Sequence, residues 1–150
     1  MSQAIQLAVE NVRQGNGGPF AALVVKQGSV IATGVNRVTA TNDPTAHAEV
    51  VGIREACRVL GTYQLTGCDV YTTCEPCPMC LGALYWARPE RVFFAATQED
   101  AAAAGFDDSF IYRQFATPRE QRAIPMIHVA DADSTRPVRE WAGKADRMRY

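Results

Sequence analysis

Three of the chain's five cysteines fall in one octapeptide, Thr73-Cys74-Glu75-Pro76-Cys77-Pro78-Met79-Cys80, at intervals of three residues. Upstream, His47-Ala48-Glu49 sets an imidazole and a carboxylate two residues apart. Together these stretches read H-A-E … P-C-P-M-C, and a fold that uses both must bring them to one point. Pro78 is suited to the first turn of a helix. Cys77 and Cys80, at i and i+3, then share one helical face. A helix N-terminus favours the thiolate that binds metal. Zinc takes nitrogen and sulfur ligands in tetrahedral geometry, and a catalytic zinc keeps one position for water. One zinc per chain held by His47, Cys77 and Cys80 meets that description.

Asp43-Pro44 reads as the start of the helix carrying His47, which the pattern predicts over 43–60 with a stop at Gly61. His47 would lie in its first turn. Glu49 would stand roughly 200° from His47 around a regular helix. It is therefore expected to face the cavity as a proton carrier and not to share the metal. Both helices follow a strand or a strand and loop, so their N-termini can converge at one edge of a sheet.

The rest of the chain supports one ordinary domain over residues 1–150. That length buries a core without disulfide staples. Apolar residues make up 47% and charged residues 21% of the 150, a globular composition. The net charge of −1 gives no general attraction to nucleic acid or anionic lipid. No apolar run approaches the roughly 18 residues of a membrane span, and residues 1–12 lack the layout of a signal peptide. An odd cysteine count with three crowded together points to metal binding in a reducing cytoplasm rather than to a disulfide framework.

Ile5, Ala8, Val9 and Val12 recur at helical spacing after Ser2, which predicts an amphipathic helix ending near Gly15. Two apolar runs at 20–26 and 30–38, joined by Gln27-Gly28-Ser29, read as a β-hairpin. Strands are expected at 69–73, 91–95 and 126–129, and helices at 78–88, 98–104, 109–115 and from Pro137 to about 146. Strands alternating with helices after the first hairpin mean an α/β fold with a mixed sheet flanked by helices.

Other readings of the residues stay open at this point. Cys74 can compete as a ligand, giving a closed structural site of His47, Cys74, Cys77 and Cys80. The proline before Cys77 favours the open set, and Glu49 would have no purpose beside a purely structural ion. Cys57 and Cys68 read as small buried apolar residues, and His128 reads as structural.

H-x-E followed by P-C-x-x-C is the signature of zinc-dependent nucleobase deaminases. Beyond it, the chain resembles the small bacterial guanine deaminases of the cytidine-deaminase-like superfamily. The shared stretches are Gly17 to Phe20, Asn42 to Glu49, Tyr71 to Pro89 and Gly105 to Tyr112. The zinc motifs are common to cytidine, cytosine and tRNA-adenosine deaminases. Gly105-Phe106-Asp107-Asp108-Ser109-Phe110 and the terminal Tyr150 point to guanine.

The resemblance implies a cytidine-deaminase-like three-layer sandwich with a five-stranded mixed sheet. It implies hydrolysis of guanine to xanthine and ammonia, with the attacking water activated at zinc and Glu49 moving its proton. Asn36 would hydrogen-bond the purine, Phe20 and Trp86 would flank it, and Asp108 and Tyr150 would address its amino side. It also implies a homodimer, with the C-terminal segment from about 126 to 150 exchanged between subunits in some members. Read without the resemblance, Phe20 and Trp86 serve equally as core, Asn36 as a strand end, Asp107-Asp108 as a helix cap and Tyr150 as a frayed tail. A tRNA-adenosine deaminase, the nearest rival, needs a basic face; Arg136, Arg139, Lys144, Arg147 and Arg149 cluster, but Glu140 and Asp146 interrupt them. A free cytosine or nucleoside deaminase and a zinc-stabilised binding domain are the further alternatives.

Overall fold

The computed structural model describes residues 1–149. Helix α1 (Ser2–Arg13) buries Ala4, Ala8 and Asn11 and packs on the sheet. Strands β1 (Ala21–Lys26) and β2 (Ser29–Val35) form the expected antiparallel hairpin. Gln27 and Gly28 turn it with φ of 50° and 78°, the left-handed pair whose twist matches a two-residue hairpin.

β2 stops at Val35 rather than at 38, because Val38–Thr41 forms a short helix, α2. Asn36 makes the junction. Its Oδ1 accepts from the Val38 backbone N–H at 3.3 Å, a local bond that competes with strand pairing. Helix α3 runs Ala48–Leu60 and closes on Gly61 in the left-handed conformation, φ 64°. It starts later than Asp43-Pro44 suggests. Asp43 spends its carboxylate on a tight turn instead, accepting from the Thr45 backbone at 2.8 Å and the Thr45 hydroxyl at 2.7 Å. His47 is consequently the N-cap of α3, with extended backbone, and not a residue of its first turn.

Strand β3 (Cys68–Cys74), helix α4 (Pro78–Ala87) and strand β4 (Arg91–Ala96) follow as one parallel crossover unit. Pro78 is the first residue of α4 and Cys77 its N-cap. Helix α5 (Gln98–Ala103) opens on a reciprocal cap between Thr97 and Asp100, and α6 is Ser109–Ala116. Helix α7 spans Arg136–Gly143.

The sheet is mixed, in the order β2-β1-β3-β4. It has four strands among the described residues, not five. The segment 126–129 is not a strand, and Met126, Ile127 and Val129 are 55%, 82% and 77% exposed. An apolar run gains strand structure only where a neighbouring edge supplies ladder bonds and a surface to cover, and among the described residues this run pairs with no strand.

The core lies beneath α3 and α4. Val24, Ala32, Ala56, Leu65, Cys68, Val70, Leu84 and Ala87 form one buried cluster, with Ile53, Cys57 and Leu60 packed against it. Burying each Val or Leu side chain there stabilises the fold by about 1.5–3 kcal/mol. Cys57 and Cys68 are part of this packing, as their sequence positions suggest. Contacts divide the chain into two compact units, Met1–Phe110 and Ile111–Tyr150. The first carries the sheet and the cluster. In the second, no described residue is buried.

Candidate active site

The cap residues of two helices meet. His47 ends the loop into α3, Cys77 ends the loop from β3 into α4, and Cys80 sits in the first turn of α4. His47 Nδ1 lies 3.5 Å from Cys77 Sγ and 3.5 Å from Cys80 Sγ. The ligand atoms of all three lie within 4.8 Å of one another. This is the expected trio, brought together from two stretches thirty residues apart in the chain.

The electrostatics suit a metal. Cys77 is held down to about 4 by the hydrogen bond from the Cys80 thiol and by His47, and it sits at a helix N-terminus. Cys80 is pushed up by the neighbouring Cys77 thiolate, by burial and by Glu49. His47 is raised above its usual value, chiefly by its hydrogen bond to Cys77. One imidazole nitrogen and two sulfurs at the mouth of two helices are the borderline-soft donor set that zinc prefers. The residues fit the ion.

Cys74 does not join them. It is buried at the end of β3, donates to the Thr97 carbonyl oxygen at 3.5 Å, and is pushed up to about 11 by burial. A thiol kept neutral and tied to a carbonyl is a poor ligand. His128 lies in an exposed stretch outside the metal group.

Glu49 is 6% exposed in the first turn of α3. Its Oε2 lies 3.3 Å from Cys80 Sγ, and its Oε1 accepts from the Thr72 hydroxyl at 2.5 Å. With His47 outside the helix, the two side chains are not set by helical rotation. Glu49 stands beside the trio and outside it, a placement that the helical spacing does not explain.

The flanking residues assemble in part. Asn36 is 7% exposed. Its Oδ1 accepts from the Gly18 and Val38 N–H groups, both at 3.3 Å, which fixes the orientation of the amide. Asn11 of α1 locks this corner, donating to Gly18 O at 3.0 Å and Asn36 O at 2.9 Å. Phe20 meets Phe106 edge to face, with ring centroids 4.9 Å apart. The Asp108 carboxyl is pushed up by burial and, after it, by the charge of Cys77, against a hydrogen bond from Gln98. Its Oδ1 is buried with no hydrogen-bond partner in the described structure. Trp86 is 65% exposed on α4, six residues beyond Cys80, about 240° around the helix from it. Tyr150 lies outside the described residues.

Asn11 and Thr72 carry no motif of their own in sequence, and Phe106 enters there only as part of a longer stretch. Phe106 sits in the Gly-Phe-Asp-Asp stretch and Thr72 lies five residues before Cys77, so proximity to motifs was the available signal. For Asn11, a polar residue among the apolar positions of α1, there was a weaker one.

Comparison with known proteins agrees with this geometry. Residues 1–96 match the family described as the cytidine and deoxycytidylate deaminase zinc-binding region. The whole chain is 55% identical to a guanine deaminase of Bacillus subtilis (strain 168), covering 96% of that protein. The X-ray structure of guanine deaminase from Bacillus subtilis superposes with a TM-score of 0.97 at 56% identity, covering 99% of this chain and 95% of that one. A tRNA-specific adenosine deaminase of Aquifex aeolicus (strain VF5) is 50% identical over 52% of each chain.

Proposed function

The chain belongs to the cytidine and deoxycytidylate deaminase zinc-binding family, and on that premise we propose that it hydrolyses guanine to xanthine and ammonia. The observation that carries the choice of guanine is similarity along the full chain to a guanine deaminase. The tRNA-specific adenosine deaminases of Aquifex aeolicus and Bacillus subtilis match over 52% and 70% of this chain, at 50% and 39% identity.

His47, Cys77 and Cys80 would hold one zinc ion, which when bound would lower the pKa of water to about 7 and so supply a nucleophile at neutral pH. Glu49 takes the proton released by the attacking water. It delivers that proton to a purine ring nitrogen and afterwards assists the departing amino group, so that guanine and water leave as xanthine and ammonia. Asn36 donates its amide N–H to a ring acceptor, and Phe20 with Phe106 walls one side of the ring. Asp108 accepts from the exocyclic amino group, which supports the choice of a purine bearing such a donor. Trp86 and Tyr150 complete the enclosure in an assembled homodimer.

Two sets of exposed apolar residues support the dimer. One is Val92, Phe93 and Phe94 on the edge strand β4, 36%, 37% and 49% exposed. The other is the segment 126–129. An open edge strand invites pairing with another chain, and exchange of the segment from about 126 to 150 is a low-cost route to it. No helix among the described residues is long and apolar enough to cross a membrane. We place the enzyme in the cytoplasm, acting on a free base, because crowded unpaired cysteines suit a reducing compartment.

A substrate panel tests the assignment. Zinc-loaded protein should release ammonia from guanine and far more slowly from cytosine, cytidine or a tRNA anticodon stem-loop. Glu49→Gln should keep its zinc and lose about 10²–10⁴-fold in turnover. Ammonia from the stem-loop but not from guanine would move the chain to the tRNA branch.

A further inference from the structure

Thr72 lies in β3, in register with Ala22 of β1 and Phe94 of β4, and is 0% exposed. Strand alternation places it on the same face as Val70, which belongs to the cluster under α3 and α4. Its hydroxyl therefore meets the first turn of α3, where it donates to Glu49 Oε1 at 2.5 Å. That is the length of a hydrogen bond between a hydroxyl and a carboxylate. The other oxygen, Oε2, lies toward Cys80. The carboxylate thus has one oxygen tied to the sheet and one presented to the metal pocket.

A valine would fill the same space in a dry core without a polar group to satisfy. Among the described residues the hydroxyl makes no other hydrogen bond, so its partner is the one side chain that must move a proton. We propose that Thr72 is a positioning residue for deamination: its hydroxyl holds the Glu49 carboxylate so that Oε2 faces the reaction. The effect on turnover rests on the reading of the site as a deaminase; the effect on the carboxylate does not.

Two measurements test it. In kinetics, Thr72→Val should retain one zinc per chain and a KM for guanine within about twofold, while kcat falls about tenfold or more, as expected when a reacting group is misplaced by a fraction of an ångström. Thr72→Ser, which keeps the hydroxyl, should recover most of the rate. Should Thr72→Val not fold, Thr72→Ala removes the hydroxyl with no added demand on space, and the comparison with Thr72→Ser stands. In crystal structures of the zinc-loaded proteins, the parent should keep Glu49 Oε1 on Thr72, and the valine or alanine variant should show the carboxylate turned. Parental kcat without the hydroxyl, or an unmoved carboxylate, overturns the proposal, as does a serine variant no better than valine. A parent inactive on guanine would instead sink the proposed function, and the crystallographic comparison would still decide the role of Thr72.

Discussion

Gly34 of β2 lies directly under the first turn of α3: a methyl group on Gly34 would stand 2.1 Å from the carbonyl oxygen of Ala48. It would also stand 2.4 Å from the Gly52 nitrogen. Strand and helix backbones touch there, and the contact sets the height at which His47 and Glu49 are held. Gly34→Ala should push α3 off the sheet, costing about 1–3 kcal/mol or more from overpacking, and should weaken zinc binding as well. Gly82→Ala, inside α4 where an added methyl meets nothing within 4 Å, is the control and should keep its zinc and hold or raise stability. Thermal melts and zinc content of the two variants decide; equal zinc content in both would detach Gly34 from the site.

The ligand set predicts a contrast between neighbouring cysteines. Cys77→Ala and Cys80→Ala should each lose zinc. Cys74→Ala should keep one zinc per chain, since its thiol is committed to the Thr97 carbonyl and held up near 11. Its cost should be confined to packing, about 1–2 kcal/mol for a small buried side chain. Metal analysis of the purified variants measures this, and loss of zinc from Cys74→Ala alone would reverse the assignment.

Zinc affinity should fall as the solution is acidified. Without metal, Cys77 is already a thiolate above its pKa of about 4. Cys80 holds its proton, because the Cys77 thiolate beside it raises its pKa. Binding therefore releases the Cys80 proton across the neutral range. His47, raised above its usual value, adds a second proton once the pH drops below its own pKa. Kd should weaken about tenfold per pH unit at the alkaline end and toward about a hundredfold per unit below the His47 transition, as proton linkage requires. Chelator competition from pH 6 to 8 gives the slope. A flat profile would mean that the ligands are already deprotonated.

Much of the site was legible because its chemistry is local in sequence. His47, Glu49, Cys77 and Cys80 are announced by residue type and spacing, and Pro78 announces the helix that seats the two cysteines. What the spacing left open was which backbone state each residue takes. Asp43-Pro44 carries a helix-start pattern, yet Asp43 closes a turn on Thr45, and His47 becomes a cap. Thr72 and Asn11 escaped notice because a lone polar residue in an apolar run has no sequence signature; only the partner in space explains it. The strand expected at 126–129 has the right composition, but a strand needs an edge to pair with, and composition cannot supply one.

If the C-terminal segment crosses between subunits, two inactive variants should rescue each other. One carries Glu49→Ala with its chain end intact, and the other keeps Glu49 but lacks Arg149 and Tyr150. After re-pairing, a mixed dimer with crossed ends contains one site that has both Glu49 and Tyr150, and up to about half the activity per mixed dimer should return. Ends that stay on their own subunit leave every site short of one group, so the mixture remains inactive. Full activity of the truncated variant alone would remove Tyr150 from the mechanism.

The buried, unpartnered oxygen of Asp108 yields the last prediction. An unsatisfied buried carboxylate oxygen costs stability and is retained where a ligand supplies the missing donor. The exocyclic amino group of guanine is such a donor. Asp108→Asn exchanges an ionised acceptor for a weaker one that brings donors of its own. Guanine kcat/KM should fall about 10- to 100-fold, the range for losing a hydrogen bond to a charged group, with zinc content unchanged. The melting temperature should hold, since the amide keeps the shape of the carboxylate and Oδ1 has no donor to lose among the described residues. A purine lacking the 2-amino group should bind parent and variant alike. Unchanged kcat/KM for guanine, or a drop in melting temperature as large as the drop in activity, would return Asp108 to the role of a helix-cap residue before α6.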